Sequence, residues 1–153
     1  MKYPVSVLAE PGLGKYRPGL AGAARAALSH QQAEPGSLTV LLAGVTRMQQ
    51  LNAEFAGVDR ATDVLSFPAD DQGLDVGGRY YGDIAVCVPV AQAQAARKRH
   101  DLAGEGQLLV VHGVLHLLGY DHDTPARKRQ MWRAQKEILT ALRSGTDPRH
   151  AST

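Results

Sequence analysis

The sequence of 153 residues contains a single cysteine, Cys87, so no disulfide can form within the chain. A protein without disulfides fits a reducing compartment. No run approaches the roughly 18 consecutive apolar residues that a membrane span needs. The first ten residues, MKYPVSVLAE, reach proline and glutamate too early for a secretory signal. These features predict a cytoplasmic protein with no membrane partner.

The sequence also lacks a large excess of charge of one sign. Its 17 Lys and Arg residues and 15 Asp and Glu residues leave a formal net charge of +2, which by itself does not indicate a nucleic-acid-binding protein. A hydrophobic share of 44% and a charged share of 21% are typical of a globular domain. We therefore expect one domain over residues 1–143 and a flexible tail over 144–153.

Apolar periodicity and turn residues predict the order strand, helix, strand, helix, strands and three helices. The predicted strands are 3–8, 37–43, 62–68 and 80–88, and the predicted helices are 17–31, 46–55, 89–103, 105–118 and 125–142. Residues 70–78 are expected to form a loop. This alternation predicts an α/β (or α+β) fold in which helices pack on a small mixed sheet.

Several side chains have a predicted place in these helices. Thr46 is expected to cap the second helix, with Met48 and Phe55 on its inner face. Met131 and Trp132 are expected to pack against the protein from the last helix.

Three histidines lie in and just after one of the most apolar stretches of the chain. The predicted helix 105–118 is apolar on nearly all sides, which indicates a buried helix. His112 and His116 are four residues apart and share one face of that helix. Burying two imidazoles without partners is unfavourable, and a metal ion that binds both removes this cost. Gly119 permits a left-handed turn that brings His122 back as a third ligand.

The pattern H-x-x-x-H-x-x-G-x-x-H has the ligand spacing of the metzincin zinc peptidases. Three imidazoles without a fourth protein ligand are typical of a catalytic zinc whose open position holds water. Those peptidases carry a glutamate base where this chain has Gly113. We expect one Zn²⁺ at the end of the buried helix, although other divalent transition metals also suit three histidines. The alternative is a hydrogen-bonded pair of buried histidines with an unrelated surface histidine.

Four blocks of this sequence resemble the YbeY family, the metal-dependent endoribonucleases of bacterial ribosomal-RNA maturation. They are VVHGVLHLLGYDH (110–122), LNAEFAGVDRATDVLSFP (51–68), YGDIAVCV (81–88) and MWRAQKEIL (131–139). The likeness covers roughly residues 40 to 142.

The resemblance implies a single-domain α/β protein with zinc on His112, His116 and His122 in a cleft. It implies metal-dependent cleavage of single-stranded RNA, in 16S ribosomal-RNA 3′-end processing and ribosome quality control. The expected partners are ribosomal RNA and the small ribosomal subunit with its proteins.

One position departs from the family pattern. Many relatives carry an arginine where this chain has Ala56, and that arginine is treated as a catalytic or phosphate-binding residue. Arg60 is the candidate replacement, and the alternative is that Arg60 is a solvated loop residue. The catalytic candidates are therefore His112, His116, His122 and Arg60.

Other polar residues have two possible roles each. Asp83 and Asp121 would either orient a ligand imidazole or make local contacts. Asp63 and Ser66 would either line the cleft or have structural roles, and structural roles are favoured.

The basic clusters 97–100 and 127–129, the latter extended by Arg133 and Lys136, would contact RNA phosphates or form solvated helix faces. Tyr80 and Tyr81 would stack on a base or pack.

Two other functions are compatible with the pattern. One is a metallohydrolase of another substrate, such as a peptide, which would require a carboxylate near the open position of the metal. The other is a ribosome-assembly factor with a structural metal, which would require a fourth protein ligand.

Overall fold

The computed structural model describes residues 2–70, 74–75 and 78–144. The strands are β1 (Val5–Ala9), β2 (Gly36–Ala43), β3 (Val64–Pro68), β4 (Leu74–Asp75) and β5 (Gly78–Cys87). The helices are α1 (Leu20–His30), α2 (Val45–Ala56), α3 (Val88–Lys98), α4 (Leu102–Leu117) and α5 (Pro125–Ser144), and a short 3₁₀ turn covers Gly14–Tyr16.

The sheet is mixed, as the sequence predicts. Its strand order is β1-β2-β5-β3, and the short β4 pairs with β5. β1, β2 and β5 are parallel to one another, whereas β3 and β4 run antiparallel to β5. β5 is the longest strand and lies in the interior of the sheet, which explains the nearly continuous apolar run from Ile84 to Val88. The predicted single-domain α/β fold is confirmed.

Helix α4 lies at the centre of the molecule. It packs on β3 and β5 and is covered by α1, α3 and α5. Its fully or nearly fully buried apolar side chains are Leu109, Val110, Val111, Val114 and Leu115. The prediction of a buried helix is therefore confirmed. The face that carries His112 and His116 is half-buried, so the imidazoles are held by a rigid element and remain accessible.

Gly113 allows α4 to approach the sheet closely. A Cβ atom built at this position would lie 2.8 Å from Cγ2 of Ile84 on β5, which is closer than packed carbon atoms come. The hydroxyl of Ser66 on β3 donates a hydrogen bond to the carbonyl oxygen of Gly113 at 3.1 Å. The absence of a side chain at 113 thus has a packing reason.

The predicted helix 89–103 is too long. α3 ends at Lys98 because Arg99 adopts a left-handed conformation with φ 57°, which stops the helix. Asp101 then begins α4, since its side chain accepts a hydrogen bond from the backbone N–H of Gly104 at 2.7 Å. The predicted helix bounds did not include this second capping signal.

Two predictions for α2 are wrong. The N-cap of α2 is Gly44, whose backbone N–H donates to Glu10 Oε1 at 2.6 Å, and Thr46 lies inside the helix. Met48 is buried as expected, but 62% of Phe55 is exposed. Phe55 makes an edge-to-face contact with Phe67 of β3, with ring centroids 5.1 Å apart, so it packs at the rim of the sheet instead of in the core.

Two other predictions concern residues that are largely undescribed. The predicted loop 70–78 includes β4, and residues 71–73 and 76–77 lie outside the described part of the chain. The predicted tail 144–153 also lies outside it, except for Ser144, the last residue of α5. None of the helices in the described ranges combines the length and the apolar character needed to cross a bilayer.

Cys87 is predicted to be unreactive in the folded protein. The side chain is fully buried, and this burial raises the pKa of its thiol. Because the thiolate is the reactive form, a thiol reagent such as Ellman's reagent should not label the native chain at neutral pH. Denaturant should release one equivalent of thiol per chain. Rapid labelling without denaturant would show that the strand end opens in the native state.

Candidate metal centre

The end of α4 brings the chain back toward its own last turn. Gly119 has φ 101°, and its N–H donates to the carbonyl of His116 at 3.0 Å. The N–H of Tyr120 donates to the carbonyl of Leu115 at 3.0 Å. These two bonds form a Schellman motif, which requires a left-handed residue at the glycine position. The motif directs residues 120–122 across the exposed side of α4 and brings His122 toward His112 and His116.

The three predicted histidines come together. Each offers one ring nitrogen, and these three atoms of His112, His116 and His122 all lie within 4.8 Å of one another. The ring centroids are separated by 4.7 Å, 5.9 Å and 5.4 Å, and each pair of rings is close to perpendicular. His122 therefore lies beside the buried pair and is not a distant surface histidine.

The donor set fits one divalent transition metal ion. Zn–N bonds are about 2.0–2.1 Å long, so three nitrogens at these separations need a small inward shift to share one ion. His122 lies on an exposed loop and can supply that shift. Among the described residues, no Cys, Asp or Glu completes the group as a fourth ligand. Three nitrogen ligands with one side open are typical of a catalytic site rather than a structural one.

Gln135 orients the first ligand. Its amide oxygen lies 3.0 Å from Nδ1 of His112, and an amide oxygen can only accept a hydrogen bond. The contact therefore places the proton of His112 on Nδ1 and leaves Nε2 unprotonated, which is the form that binds a metal. Gln135 was not among the predicted site residues. The available signal was its position in the block MWRAQKEIL, four residues after Met131, whose buried side chain shows which face of α5 meets the protein.

The surroundings favour the neutral form of two histidines. The pKa of His112 is lowered mainly by burial, and a smaller repulsion from His122 acts in the same direction. The pKa of His116 is also lowered mainly by burial, with further lowering by His112 and His122. Because a lowered histidine pKa favours the neutral ring at pH 7, both imidazoles have a lone pair available for a metal.

The three histidines open into a cleft of about 450 Å³, which we call the histidine cleft. Its other wall is formed by the segment leading into β3 and by β3 itself, with the residues Thr62, Asp63, Val64, Leu65, Ser66 and Pro68. Asp63 accepts hydrogen bonds from the backbone of Val64 at 2.7 Å and from Gln94 at 3.2 Å. Asp63 and Ser66 therefore line the cleft and also have structural contacts, so the two roles predicted as alternatives coexist.

A second cleft of about 430 Å³, the side cleft, adjoins His112 and His122. Its polar and aromatic walls include Asp63, Gln94, Arg97, Lys98, Trp132 and Gln135. Glu105, which is fully buried, contacts Lys98 Nζ at 3.0 Å and His100 Nε2 at 2.7 Å. Two of the four residues of the basic cluster 97–100, Lys98 and His100, are therefore already paired with a buried carboxylate.

Asp83 does not orient a ligand imidazole. Ile84 faces α4, and since successive side chains of a strand alternate, Asp83 points to the opposite face of the sheet. Its carboxylate accepts a hydrogen bond from Tyr80. Asp121 accepts from the backbone N–H of His122 at 2.7 Å and lies 3.3 Å from its Nδ1, so it is the carboxylate next to the third ligand.

Arg60 is exposed, and its side chain forms no hydrogen bond or ion pair with another described residue. Its backbone is fixed, because the buried Asn52 donates to the carbonyl of Arg60 at 2.9 Å. Arg60 itself lines neither cleft, whereas Thr62, two residues later, is part of the histidine cleft. Ala56, the departure from the family pattern, is the last residue of α2.

The structure decides between the two roles of Tyr80 and Tyr81 and shows that the prediction for Trp132 is wrong. Tyr81 is buried and its hydroxyl donates to the carbonyl of Glu34 at 2.6 Å, and Tyr80 bonds Thr39 at 2.8 Å as well as Asp83, so both pack. Trp132, expected to pack, has 54% of its surface exposed at the side cleft.

Comparison with known proteins identifies relatives of this chain. Residues 17–143 match the family model described as Endoribonuclease YbeY. The chain is 43% identical to Endoribonuclease YbeY of Salinispora tropica over 117 residues, which cover 70% of this chain and 74% of that protein. It is 36% identical to Endoribonuclease YbeY of Cutibacterium acnes over 143 residues, covering 90% and 92%.

The fold also matches a solved structure. A solution structure of a Thermotoga maritima protein superposes with a TM-score of 0.66 and 25% sequence identity, covering 98% of this chain and 96% of that one.

Proposed function

Because the chain belongs to the endoribonuclease YbeY family, we propose that it is a zinc-dependent enzyme that cuts single-stranded ribosomal RNA. The proposed role is maturation of the 16S 3′ end and quality control of ribosomes in the cytoplasm, with the small ribosomal subunit and its proteins as partners. The observation that carries the proposal is the set of three histidine nitrogens within 4.8 Å, open to a cleft and without a fourth ligand among the described residues.

Burial and one hydrogen bond set the protonation and the orientation of the histidines at this site. Burial keeps His112 and His116 neutral, and Gln135 fixes the ring of His112 with Nε2 free. When bound, zinc supplies a Lewis acid that neutralises charge on a phosphate and activates a nucleophile. The exposed guanidinium of Arg60 would contact the scissile phosphate and stabilise the added negative charge of the transition state.

Two observations support RNA cleavage over peptide hydrolysis. The place of the peptidase glutamate is Gly113, which has no room for a side chain against Ile84. The carboxylate that lines the histidine cleft, Asp63, is already bonded to the Val64 backbone and to Gln94. A glutamate at the position used by the metzincin peptidases is therefore absent, and the cleft carboxylate is held by structural contacts. An RNA substrate, unlike a peptide, also brings its own nucleophile in the 2′-hydroxyl.

The role of Arg60 is tested in a cleavage assay on a single-stranded precursor of the 16S 3′ end. We expect the wild-type protein to cut this RNA and Arg60→Ala to cut it roughly tenfold to a hundredfold more slowly, because a contact to the transition-state charge is lost. Arg60→Lys should restore part of the rate. The matched control is Arg47→Ala, an exposed arginine in the first turn of α2. Like Arg60 it lines neither cleft, but no residue within two positions of it belongs to one.

The outcomes separate the two parts of the proposal. If Arg60→Ala cuts as fast as the wild type, Arg60 is a solvated loop residue and the enzyme works without a replacement arginine. If the loaded wild-type protein leaves the precursor intact but cuts an unrelated single-stranded RNA, the 16S assignment is wrong and the endoribonuclease activity remains.

A further inference from the structure

Trp132 is the single tryptophan of the chain, and its position is unusual for a large aromatic side chain. It lies on α5 with 54% of its surface exposed. Its ring forms part of the side cleft, whose walls also include His112 and His122 of the metal centre. Gln135, one helical turn further along α5, contacts His112. The indole therefore lies at the edge of the candidate active site and is not needed to fill the core.

The surface around Trp132 is strongly basic. The cations on the exposed side of α5, which we call the basic face, are Lys128, Arg129, Arg133, Lys136 and Arg143. None of these five forms an ion pair with another described residue. Lys128 places its ammonium group 4.7 Å from the centre of the indole ring. A polyanion that reaches the histidines along this side would meet both positive charge and an aromatic surface.

The single acidic residue of α5 does not offset this charge at the basic face. Glu137 contacts His30 of α1 at 2.8 Å, on the side of α5 that meets the rest of the protein. The remaining cation, Arg127, is paired with Asp123 at 3.0 Å. The charges of α5 are thus separated, with the acid turned inward and the cations turned outward.

We propose that Trp132 is a base-stacking subsite, on which a nucleotide next to the cleavage site stacks while the following phosphates lie along the basic face. The proposal rests on the proposed function, since it requires a single-stranded RNA in the histidine cleft. Unpaired bases stack on aromatic rings without regard to sequence, and lysine and arginine rows follow the phosphate backbone. The side cleft connects the Trp132 ring and the basic face with the metal centre. One RNA strand can therefore contact the indole, the basic face and the metal centre together.

The single tryptophan allows a direct measurement. We titrate the metal-loaded wild-type protein with a single-stranded oligouridylate of about twelve nucleotides, at a temperature and time over which a gel shows it intact. Stacking on the indole should quench the tryptophan emission in proportion to the RNA bound, which fluorescence anisotropy of a labelled oligomer reports independently. Inorganic polyphosphate carries the charge without bases and should bind with much less quenching.

Variants test the stacking and the charge separately. Trp132→Leu should raise the Kd for the oligouridylate roughly tenfold, and Trp132→Phe should recover most of the affinity. The matched control is Phe55→Leu, which alters an exposed aromatic residue that lines neither cleft. Lys136→Gln and Arg143→Gln should each reduce the slope of log Kd against log salt concentration by about 0.7, because each phosphate contact releases a counterion.

The proposal is overturned if the emission is unchanged when anisotropy shows the protein saturated with RNA. It is also overturned if Trp132→Leu binds as tightly as the wild type, or if polyphosphate quenches as strongly as the oligouridylate. Failure of the proposed function gives a different result, in which RNA binds and quenches the emission but the loaded protein never cuts it. Cleavage without any change in tryptophan emission leaves the function in place and removes the stacking subsite.

Discussion

His116→Ala is expected to abolish RNA cleavage, and a chelator such as EDTA is expected to do the same to the wild-type protein. His116 offers one of the three nitrogens of the proposed metal centre, and the described residues offer no Cys, Asp or Glu that completes the set. Loss of a residue that merely supports a ligand typically lowers metal affinity or activity tenfold to a hundredfold, so loss of a ligand should lower the cleavage rate by more than about a hundredfold. The rate is measured on the single-stranded 16S precursor, and bound metal is measured by mass spectrometry of the purified proteins.

His30→Gln is the matched control for this prediction. Like His116, His30 is a partly buried histidine. Its partner is the carboxylate of Glu137, and it lies outside both clefts. It should retain about one metal ion per chain and the wild-type rate. If His116→Ala keeps both its metal and its activity, the three-histidine centre is wrong. If the metal is lost and cleavage continues, the centre is structural and the endoribonuclease activity lies elsewhere.

Gly113→Glu, which restores the glutamate of the metzincin pattern, is expected to destabilise the fold severely and not to create a peptidase. The Cβ atom alone would lie 2.8 Å from Cγ2 of Ile84 and 3.2 Å from two other atoms of that side chain. Overpacking of this kind costs about 1–3 kcal/mol, and a carboxylate forced into the core adds several kcal/mol more. The sum approaches the entire stability of a typical domain, about 5–15 kcal/mol. The measurement is the free energy of unfolding in urea, followed by circular dichroism.

Gly113→Ala and Gly22→Ala separate this packing effect from ordinary helix propensity. Both glycines lie in helices, but the Cβ position of Gly22 on α1 has no atom within 4 Å. Gly22→Ala should stabilise the protein by about 0.5–1 kcal/mol, whereas Gly113→Ala should destabilise it by about 1–2 kcal/mol despite the same gain in propensity. If Gly113→Ala is as stabilising as Gly22→Ala, α4 does not depend on a glycine to approach β5. A folded Gly113→Glu protein that cuts peptides would revive the peptidase alternative.

Residues close in sequence were predictable, whereas contacts between distant elements were not. The spacing of His112, His116 and His122 predicted that the three rings come together, because two of them share a helix face and Gly119 determines how the third returns. Gln135 was missed because its contact with His112 depends on how α5 packs on α4, and periodicity does not specify that packing. Asp83 is adjacent in sequence to the buried Ile84, yet it lies on the far face of the sheet. The direction of a side chain on a strand depends on register, which the sequence motif alone does not reveal.

The fold was predictable for a similar reason. The apolar positions of β2, β5 and α4 are numerous enough that their burial follows from the sequence. Errors arose at element ends, where one backbone conformation decides the outcome. Arg99 adopts a left-handed conformation that glycine usually provides, so the residue at the helix end gives no signal, and the one available cue was the Asp101 cap of the next helix. Phe55 has the spacing of an inward-facing residue, but it lies in the last turn of α2, which extends beyond the edge of the core.

The burial of α4 has a consequence for the protein before it acquires a metal. Zinc fingers are unfolded without their ion because they have little else to hold them together. Here two of the proposed ligands project from a helix whose other sides are anchored by leucine and valine contacts to the sheet and to three helices. Newly made chains can therefore fold first and bind the metal afterwards. If the proposed centre is required for activity, a cell without the ion would contain folded but inactive protein. Adding the metal would then activate this folded protein without new protein synthesis.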